Sequence, residues 1–553
     1  MSKEKLGYIT GKSANNNVIA FLHRHAETIP SKAAFLADSN TKNESPLSYL
    51  ELWQQIQSTA YGLHRLGIQR GERVLIFIPM SSNLYVAMFA VQMLGAIAVF
   101  LDSWARSDQL GMCAAQASPV AFIAPEKAFA YTDHLPELDC LRYKIVTGPH
   151  QDNYSAQLET LAQEGNTHPI AAVNQEDTAL ITFTTGSSGP PKGADRTHRF
   201  LCAQHYALET CLPYQPDDID LPVFPIFSLN NLAGGVTTVL PEIDLAKAQD
   251  HDGAILIRQI QDRNTTCCTL SPSLLRKVTQ AAFDQSITLN GLRRVATGGA
   301  PINSDDVARF KKVAPHAELH ILYGSTEVEP IAHLLTDYMP DETEHDGVCV
   351  GTLAAGLEHK LLKLEKNPIT LGLNGWQSWE VATGEVGELA VSGEHVCRGY
   401  YNNPDAFSNT KILDPDGRIW HRTGDLCFFD SQNRLWVAGR LHNVIVRNNT
   451  YLFPVKPEVV MNRLPFVKVS AYLGLPDKHL GELALAAFSI KDNTPENDAI
   501  ERVREALTVE GIPVDKILVV NDIPLDPRHH SKVEYAKLRE SILAESVSSR
   551  TVG

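Results

Sequence analysis

Ile181-Thr-Phe-Thr-Thr-Gly-Ser-Ser-Gly-Pro-Pro-Lys-Gly193 is the stretch on which the reading of this chain turns. The apolar run Ala179 to Phe183 reads as a strand. It feeds a loop dense in hydroxyls and glycine that ends in one lysine. Glycines let backbone N–H groups approach an oxyanion, and successive N–H groups in a turn form an anion-binding nest. Gly186 and Gly189 supply that freedom. Thr184, Thr185, Ser187 and Ser188 add hydroxyl donors, and Lys192 adds positive charge. The composition is that of a phosphate cradle; the plainer alternative is a Gly/Ser turn between strand and helix. A Walker A loop is excluded, because no Ser or Thr follows Lys192 in the required spacing.

Outward from this loop, short apolar runs alternate with helix-like segments. Leu50 to Leu66 is amphipathic at helical spacing, Val74 to Ile78 is β-rich, Tyr85 to Leu94 is helical, and Ile97 to Leu101 and Val120 to Ala124 are strand-like. Buried strands separated by helices predict parallel sheets covered by helices. Gly387 to Ser392 and Asp416 to Val437 read as hairpins, with Gly417 and Asn433 as turns, and predict a small β subdomain. A boundary is expected near Gly439-Arg440. The tail beyond it carries its own signals: Asn443 to Val446, Val467 to Leu473 and Asp498 to Leu507. The expected fold is α/β: a large N-terminal domain, residues 1–439, and a small α+β C-terminal domain, residues 440–553.

A chain of 553 residues exceeds a single core. A net charge of −15 argues against a duplex nucleic-acid partner. The nine cysteines include no CxxC pair, and adjacent Cys267-Cys268 seldom bridge, so reduced thiols are expected. The polar N-terminus lacks an apolar signal core, and the run Tyr85 to Leu101 is interrupted by Gln92 and Gly95. These features point to a cytoplasmic protein without a transmembrane segment.

The order TTGSSGPPKG resembles the phosphate loop of the adenylate-forming family, which includes acyl-CoA synthetases, luciferases and peptide-synthetase adenylation domains. Leu322-Tyr-Gly-Ser-Thr-Glu327 resembles that family's YGxTE motif. The resemblance implies that Tyr323 stacks on adenine beside Gly324 and Ser325, Thr326 touches the α-phosphate, and Glu327 ligates Mg²⁺, a hard cation that favours carboxylate oxygen plus substrate phosphate. Thr297-Gly-Gly-Ala-Pro301 resembles the glycine-rich segment flanking adenine, which assigns Gly298, Gly299, Ala300 and Pro301 to the nucleotide. His421-Arg-Thr-Gly-Asp425 matches the motif whose aspartate, here Asp425, holds the ribose hydroxyls. Arg440 would contact ribose or phosphate and begin the hinge of a mobile C-terminal domain. Lys532 matches the lysine that bridges carboxylate and α-phosphate during adenylation. Thr185, Thr326, Glu327, Arg440 and Lys532 are thus the implied catalytic set. The implied reaction is attack of a carboxylate on ATP to give an acyl-AMP and pyrophosphate.

The resemblance runs from Asn17 to about Leu538. Asp220-Leu-Pro-Val-Phe-Pro-Ile-Phe227, Gly347-Val-Cys-Val-Gly351 and Asp526-Pro-Arg-His-His-Ser-Lys532 are most similar to the β-lactone synthetases of bacterial long-chain olefin synthesis. There the β-hydroxyl of the adenylated acid attacks its own acyl carbon and expels AMP. By position, His529 and His530 are candidate bases for that step. Two departures from CoA ligases bear on the choice: Val446-Arg-Asn-Asn-Thr-Tyr451 lacks glycine and the Arg440-Leu-His442 hinge lacks its acidic residue; and Ser228 stands where many relatives have histidine. The acceptor therefore stays open between CoA, a carrier protein and the substrate's own hydroxyl. A catalytically inactive nucleotide-binding protein is a third alternative, opposed by intact Lys192, Glu327, Asp425 and Lys532. The expected partners are ATP, Mg²⁺, a long-chain acyl substrate and enzymes of a hydrocarbon or lipid pathway, with CoA undecided.

Overall fold

The computed structural model of the chain describes residues 16–36, 45–101, 107–132, 134–151, 153–184, 191–245, 247, 249–341, 345–491, 493–526 and 532–548. Three sheets organise it. The first has seven strands in the order Ala156–Gln157, Tyr143–Thr147, Ala121–Pro125, Arg73–Ile76, Ile97–Phe100, Thr178–Thr184, Lys192–Thr197. All pair in parallel except the last two, which form an antiparallel hairpin. Period-two alternation divides its side chains between two cores. Val74, Ile76, Ala98, Ile123 and Leu180 face one, and Leu75, Val99, Phe122, Val146 and Ile181 face the other. Burial on both faces explains why these strands read as continuous apolar runs.

The helix Tyr49–Leu66 covers this sheet and matches the expected segment. Ser48 caps it in a reciprocal capping box with Glu51, and Gly67 at φ 103° ends it in the left-handed region. The helix Ser82–Met93 is buried almost all round, so it carries no amphipathic stripe.

The second sheet has fourteen strands. Its parallel part, Ile219–Pro222, Cys267–Leu270, Arg294–Gly298 and Glu318–Ser325, turns antiparallel at Val328–Leu335. Pairing continues through Val348–Leu353 to Leu435–Arg440, Ile419–Phe429, Gly387–Ser392 and Glu358–Leu362. The β-rich portion expected from the sequence is therefore joined by hydrogen bonds to the second sheet, although it has its own core around Val328, Leu389, Cys427 and Leu435. Asn433 turns its hairpin at φ 59° and Gly417 turns the preceding one at φ 79°.

The third sheet pairs Thr450–Leu452, Ile445–Arg447, Gly481–Ile490 and Val467–Asp477, with Lys516–Val519 alongside. It too is buried on both faces. Tyr472, Ala486 and Phe488 pack on one side, and Leu473, Leu485 and Leu538 on the other. Lys456 Nζ reaches Asp346 Oδ1 at 3.2 Å, linking this sheet's first helix to the second sheet's connections. Among the described residues no helix is long and apolar enough to cross a membrane. All nine cysteines are unbridged.

One carboxyl in the third-sheet core is out of its ordinary range. Burial pushes Glu458 up to about 8, despite hydrogen bonds from the Tyr535 hydroxyl and the Tyr472 N–H. The unfolded chain then holds fewer protons than the folded one between roughly pH 4.5 and 8, so folding stability falls as pH rises through that window. Glu458→Gln removes this slope. In melts at pH 5.5 and 8.5 the variant is expected to gain on the wild type at the higher pH; an equal difference at both pH values would show that Glu458 does not titrate late.

Candidate active site

The hairpin made by Thr178–Thr184 and Lys192–Thr197 pairs Thr184 with Lys192, so Lys192 sits at the mouth of the loop quoted above. Thr185, Gly186, Ser187, Ser188 and Gly189 lie outside the described residues, as does the side chain of Thr184. Gly193 is packed closely: a Cβ there would lie 3.0 Å from Ile181 Cγ2 and Phe183 Cε1.

From the second sheet, Gly298 pairs with Leu322 across adjacent parallel strands. A Cβ at Gly298 would come within 2.4 Å of the Leu322 carbonyl, and Gly299 follows at φ 87°. Ala300 and Pro301 follow in the chain after the strand Arg294–Gly298. Ligands bind at such carboxyl ends of parallel strands. Ser325 pairs with Val328, which makes Thr326 and Glu327 the two central residues of a tight β-hairpin. The turn is followed directly by the strand Val328–Leu335. Ser325 Oγ and Thr297 Oγ1 are buried without a hydrogen-bond partner, as expected of groups that face a ligand.

Tyr323 donates its hydroxyl to Asp425 Oδ2 at 2.6 Å, and Arg440 Nε meets Asp425 Oδ1 at 2.7 Å. Asp425 and Arg440 are register partners, which explains why residues fifteen apart meet. Asp425 is buried and Arg440 half-exposed. Burial first, and then the Asp425 charge, push the Tyr323 phenol well above its ordinary value, so it stays a donor.

Glu327 is held by groups that sequence reading did not identify. The Tyr400 hydroxyl donates to Glu327 Oε1 at 2.7 Å, and the Cys397 N–H donates to the Glu327 carbonyl at 2.7 Å. Arg196 donates to the Thr326 carbonyl at 2.7 Å. Burial alone would raise the Glu327 carboxyl; the His421 ring, the Tyr400 hydroxyl and the Lys411 ammonium outweigh it and bring it down to about 2. Burial and the Lys411 charge push His421 to about 3, so its ring is neutral at ordinary pH. The hydroxyl and the ammonium are therefore what keep the carboxylate charged. Among the described residues no group of three or more His, Cys, Asp or Glu could hold a metal. A single ionised carboxylate suits a hard divalent cation shared with phosphate oxygens and water.

Lys532 stands apart from this cluster in its described contacts. Its N–H meets Asp526 Oδ1 at 3.1 Å and its carbonyl accepts from the Asp526 N–H, beside the bridge Leu525–Val533. His529 and His530 lie outside the described residues. Ser228 is fully buried in the helix Pro225–Gly234, and its Oγ has no hydrogen-bond partner among the described residues. That helix lines a small, mainly apolar cavity of about 50 Å³, walled by Phe21, Phe89, Leu201, Leu208, Ile226 and Leu229, with Gln92, Gln204, His205 and Asn230 also at its wall. The glycine-free segment forms a hairpin with Arg447 paired to Thr450. Asn448 and Asn449, at φ 50° and 59°, adopt the left-handed turn that glycine would otherwise supply. The amide side chains of both asparagines are exposed.

Residues 22–401 match the family model described as AMP-binding enzyme. The chain is 30% identical to an olefin beta-lactone synthetase of Stenotrophomonas maltophilia over 89% of this chain and 90% of that protein. It is 26% identical to a 4-coumarate–CoA ligase-like protein of Arabidopsis thaliana over 87% and 84%. The amide bond synthetase of Marinactinospora thermotolerans superimposes with a TM-score of 0.78 at 22% identity, covering 95% of this chain and 99% of that one, a likeness of fold. The chain belongs to the AMP-binding enzyme family.

Asp425→Ala releases the Tyr323 hydroxyl and the Arg440 guanidinium together. ATP binding measured by calorimetry is expected to weaken by about 1–3 kcal/mol. Tyr323→Phe removes one of those contacts and is expected to cost less. Unchanged binding in both variants would place the nucleotide elsewhere.

Proposed function

We propose that this AMP-binding enzyme activates a long-chain carboxylic acid as its acyl-adenylate and then closes a β-hydroxy acid to a β-lactone. The observation that carries the first step is the meeting of the Lys192 hairpin, the Thr326-Glu327 turn and the Tyr323–Asp425–Arg440 triad. A carboxylate oxygen attacks the α-phosphorus of ATP, a P–O bond forms, and the bond to the β-phosphate breaks as pyrophosphate leaves. Such a displacement needs positioning and charge stabilisation more than acid–base chemistry. In this reading Lys192 and the loop before it hold phosphate oxygens, and Thr326 holds the α-phosphate. Tyr323 and the Gly298–Pro301 turn flank adenine. Asp425 accepts from the ribose hydroxyls, with Arg440 beside it. Glu327 would hold Mg²⁺, which supplies charge neutralisation on the phosphates.

Lys532 is assigned to the segment after Arg440, read as a mobile domain, 440–553, on the domain 1–439. The single turn Leu441–Asn443 is its hinge. The small cavity beside Pro225–Gly234 is mainly apolar, and in this reading it takes only a short part of the alkyl chain.

The lactone product is supported by the β-lactone synthetase of S. maltophilia and by its proximity logic. The β-hydroxyl oxygen is already near the acyl carbon. Its attack forms one C–O bond, breaks the acyl–phosphate C–O bond, and releases AMP while the hydroxyl proton passes to a base or water. Thioester formation with CoA is the second reading. The glycine-like Asn448-Asn449 turn and the 4-coumarate–CoA ligase-like relative favour it.

Mass spectrometry of products from ATP and a long-chain β-hydroxy acid separates the two. The lactone reading expects β-lactone and AMP without CoA. Strict CoA dependence with acyl-CoA as sole product would reject it. Lys532→Ala is expected to slow pyrophosphate release by ~10²-fold or more while ATP binding stays near wild type, since the lysine acts on charge developing in the transition state. Near wild-type release would remove Lys532 from the first step.

A further inference from the structure

The hairpin carrying Lys192 and the turn carrying Glu327 belong to different sheets, and one short segment, Val396-Cys-Arg-Gly-Tyr-Tyr401, is bonded to both. On the first-sheet side the Tyr401 N–H donates to the Gly193 carbonyl at 2.8 Å, the Asp195 N–H donates to the Gly399 carbonyl at 3.2 Å, and Ala194 bridges Tyr400. On the second-sheet side Val396 bridges Val328, the Cys397 N–H meets the Glu327 carbonyl, and the Tyr400 hydroxyl meets the Glu327 carboxylate. The segment is a strap across the two sheets.

Lys411 is attached to that strap. It enters on the short strand Lys411–Leu413, paired with His421, and is 3% exposed. Its ammonium donates to the Cys397 carbonyl and lies 5.3 Å from the centre of the Tyr400 ring. No carboxylate of the described residues lies within ion-pair distance of it. A buried ammonium with one hydrogen bond and a ring face for company is costly to keep. Next to it, the Nδ1 of buried His421 has no hydrogen-bond partner. A methionine would fill the same space without desolvating a charge, so packing alone does not account for lysine here.

We propose that Lys411 is a positioning residue of the reaction: it pins the strap through Cys397 and Tyr400 and thereby holds the Glu327 carboxylate toward the Lys192 hairpin. Lys411 acts through Tyr400 and the strap and does not touch substrate. The inference rests on the reading of Glu327 as the carboxylate that serves the nucleotide phosphates and their cation.

The test compares Lys411→Met, Tyr400→Phe, the double variant and Glu327→Gln in the full chain, with Lys360→Met as control. Lys360 also lies over an aromatic ring, that of Trp376, but outside this cluster. Three readouts are taken: the melting temperature, the Mg²⁺ dependence of ATP binding by calorimetry, and acid-dependent pyrophosphate release. Lys411→Met removes the cost of a buried ammonium but also a charge that offsets the burial of Glu327, so its melting temperature is expected to stay close to that of the wild type. It should nonetheless raise the Mg²⁺ concentration for half-maximal ATP binding about tenfold and lower kcat about thirtyfold, with KM for the acid little changed. The double variant should be no worse than about threefold below the worse single variant, since both act through one carboxylate. Lys360→Met should leave all three readouts unchanged.

Full additivity of Lys411→Met and Tyr400→Phe would overturn the proposal. So would a wild-type Mg²⁺ titration in Lys411→Met alongside a shifted one in Glu327→Gln, or loss of activity in step with loss of melting temperature. If Glu327→Gln itself leaves the titration unchanged, the reading of Glu327 fails, and the proposal with it.

Discussion

Two turns from separate sheets must be held at a fixed spacing, and the strap Val396–Tyr401 imposes it. Lys192 ends one hairpin of the first sheet; Thr326 and Glu327 cap another of the second. One core joins the sheets, with Phe35 and Leu47 of the second packed in the same cluster as Val74, Leu180 and Ala194 of the first, and Cys397 of the strap belongs to it. At the two hairpins themselves the backbone hydrogen bonds of Cys397, Gly399 and Tyr401 engage both edges within five residues. Arg196 adds a direct tie from the first-sheet hairpin to the Thr326 carbonyl. In an enzyme that works by positioning, errors of an ångström are expensive in rate.

The same economy shapes the electrostatics. Glu327 is buried yet ionised, because a hydroxyl and an ammonium oppose the cost of burial. Asp425 is buried and paired with Arg440 while accepting from Tyr323. Each carboxylate is fixed by neighbours from its own sheet region, so neither needs a ligand to define its orientation. Carboxylates fixed in this way would hold a cation or accept hydrogen bonds from a ligand without reorganisation at the moment of reaction.

Much of the frame was legible in the sequence. Thr178–Thr184, Ile97–Phe100 and Ala121–Pro125 read as strands because each holds a short, mainly apolar run that packs into cores on both faces of the sheet. Tyr49–Leu66 read as a helix because one stripe is apolar and the rest is polar. The motifs assigned to the nucleotide are legible because each is local. What was missed is non-local: Tyr400 meets Glu327 across 73 residues and Arg196 meets Thr326 across 130. A buried lysine at position 411 leaves little trace in a sequence beyond a charge that opens an apolar pair, Ile412-Leu413. At Asn448 and Asn449 the sequence shows only that glycine is absent; that both residues take the left-handed conformation, which asparagine tolerates, is seen in the structure.

The central claim is that the junction of the two hairpins makes an acyl-adenylate. Isotope exchange between labelled pyrophosphate and ATP measures that step alone, in the absence of CoA. The account predicts exchange that requires a long-chain acid and Mg²⁺ and that falls sharply in Glu327→Gln. Exchange that is absent with any acid, or that proceeds undiminished in Glu327→Gln, would contradict it.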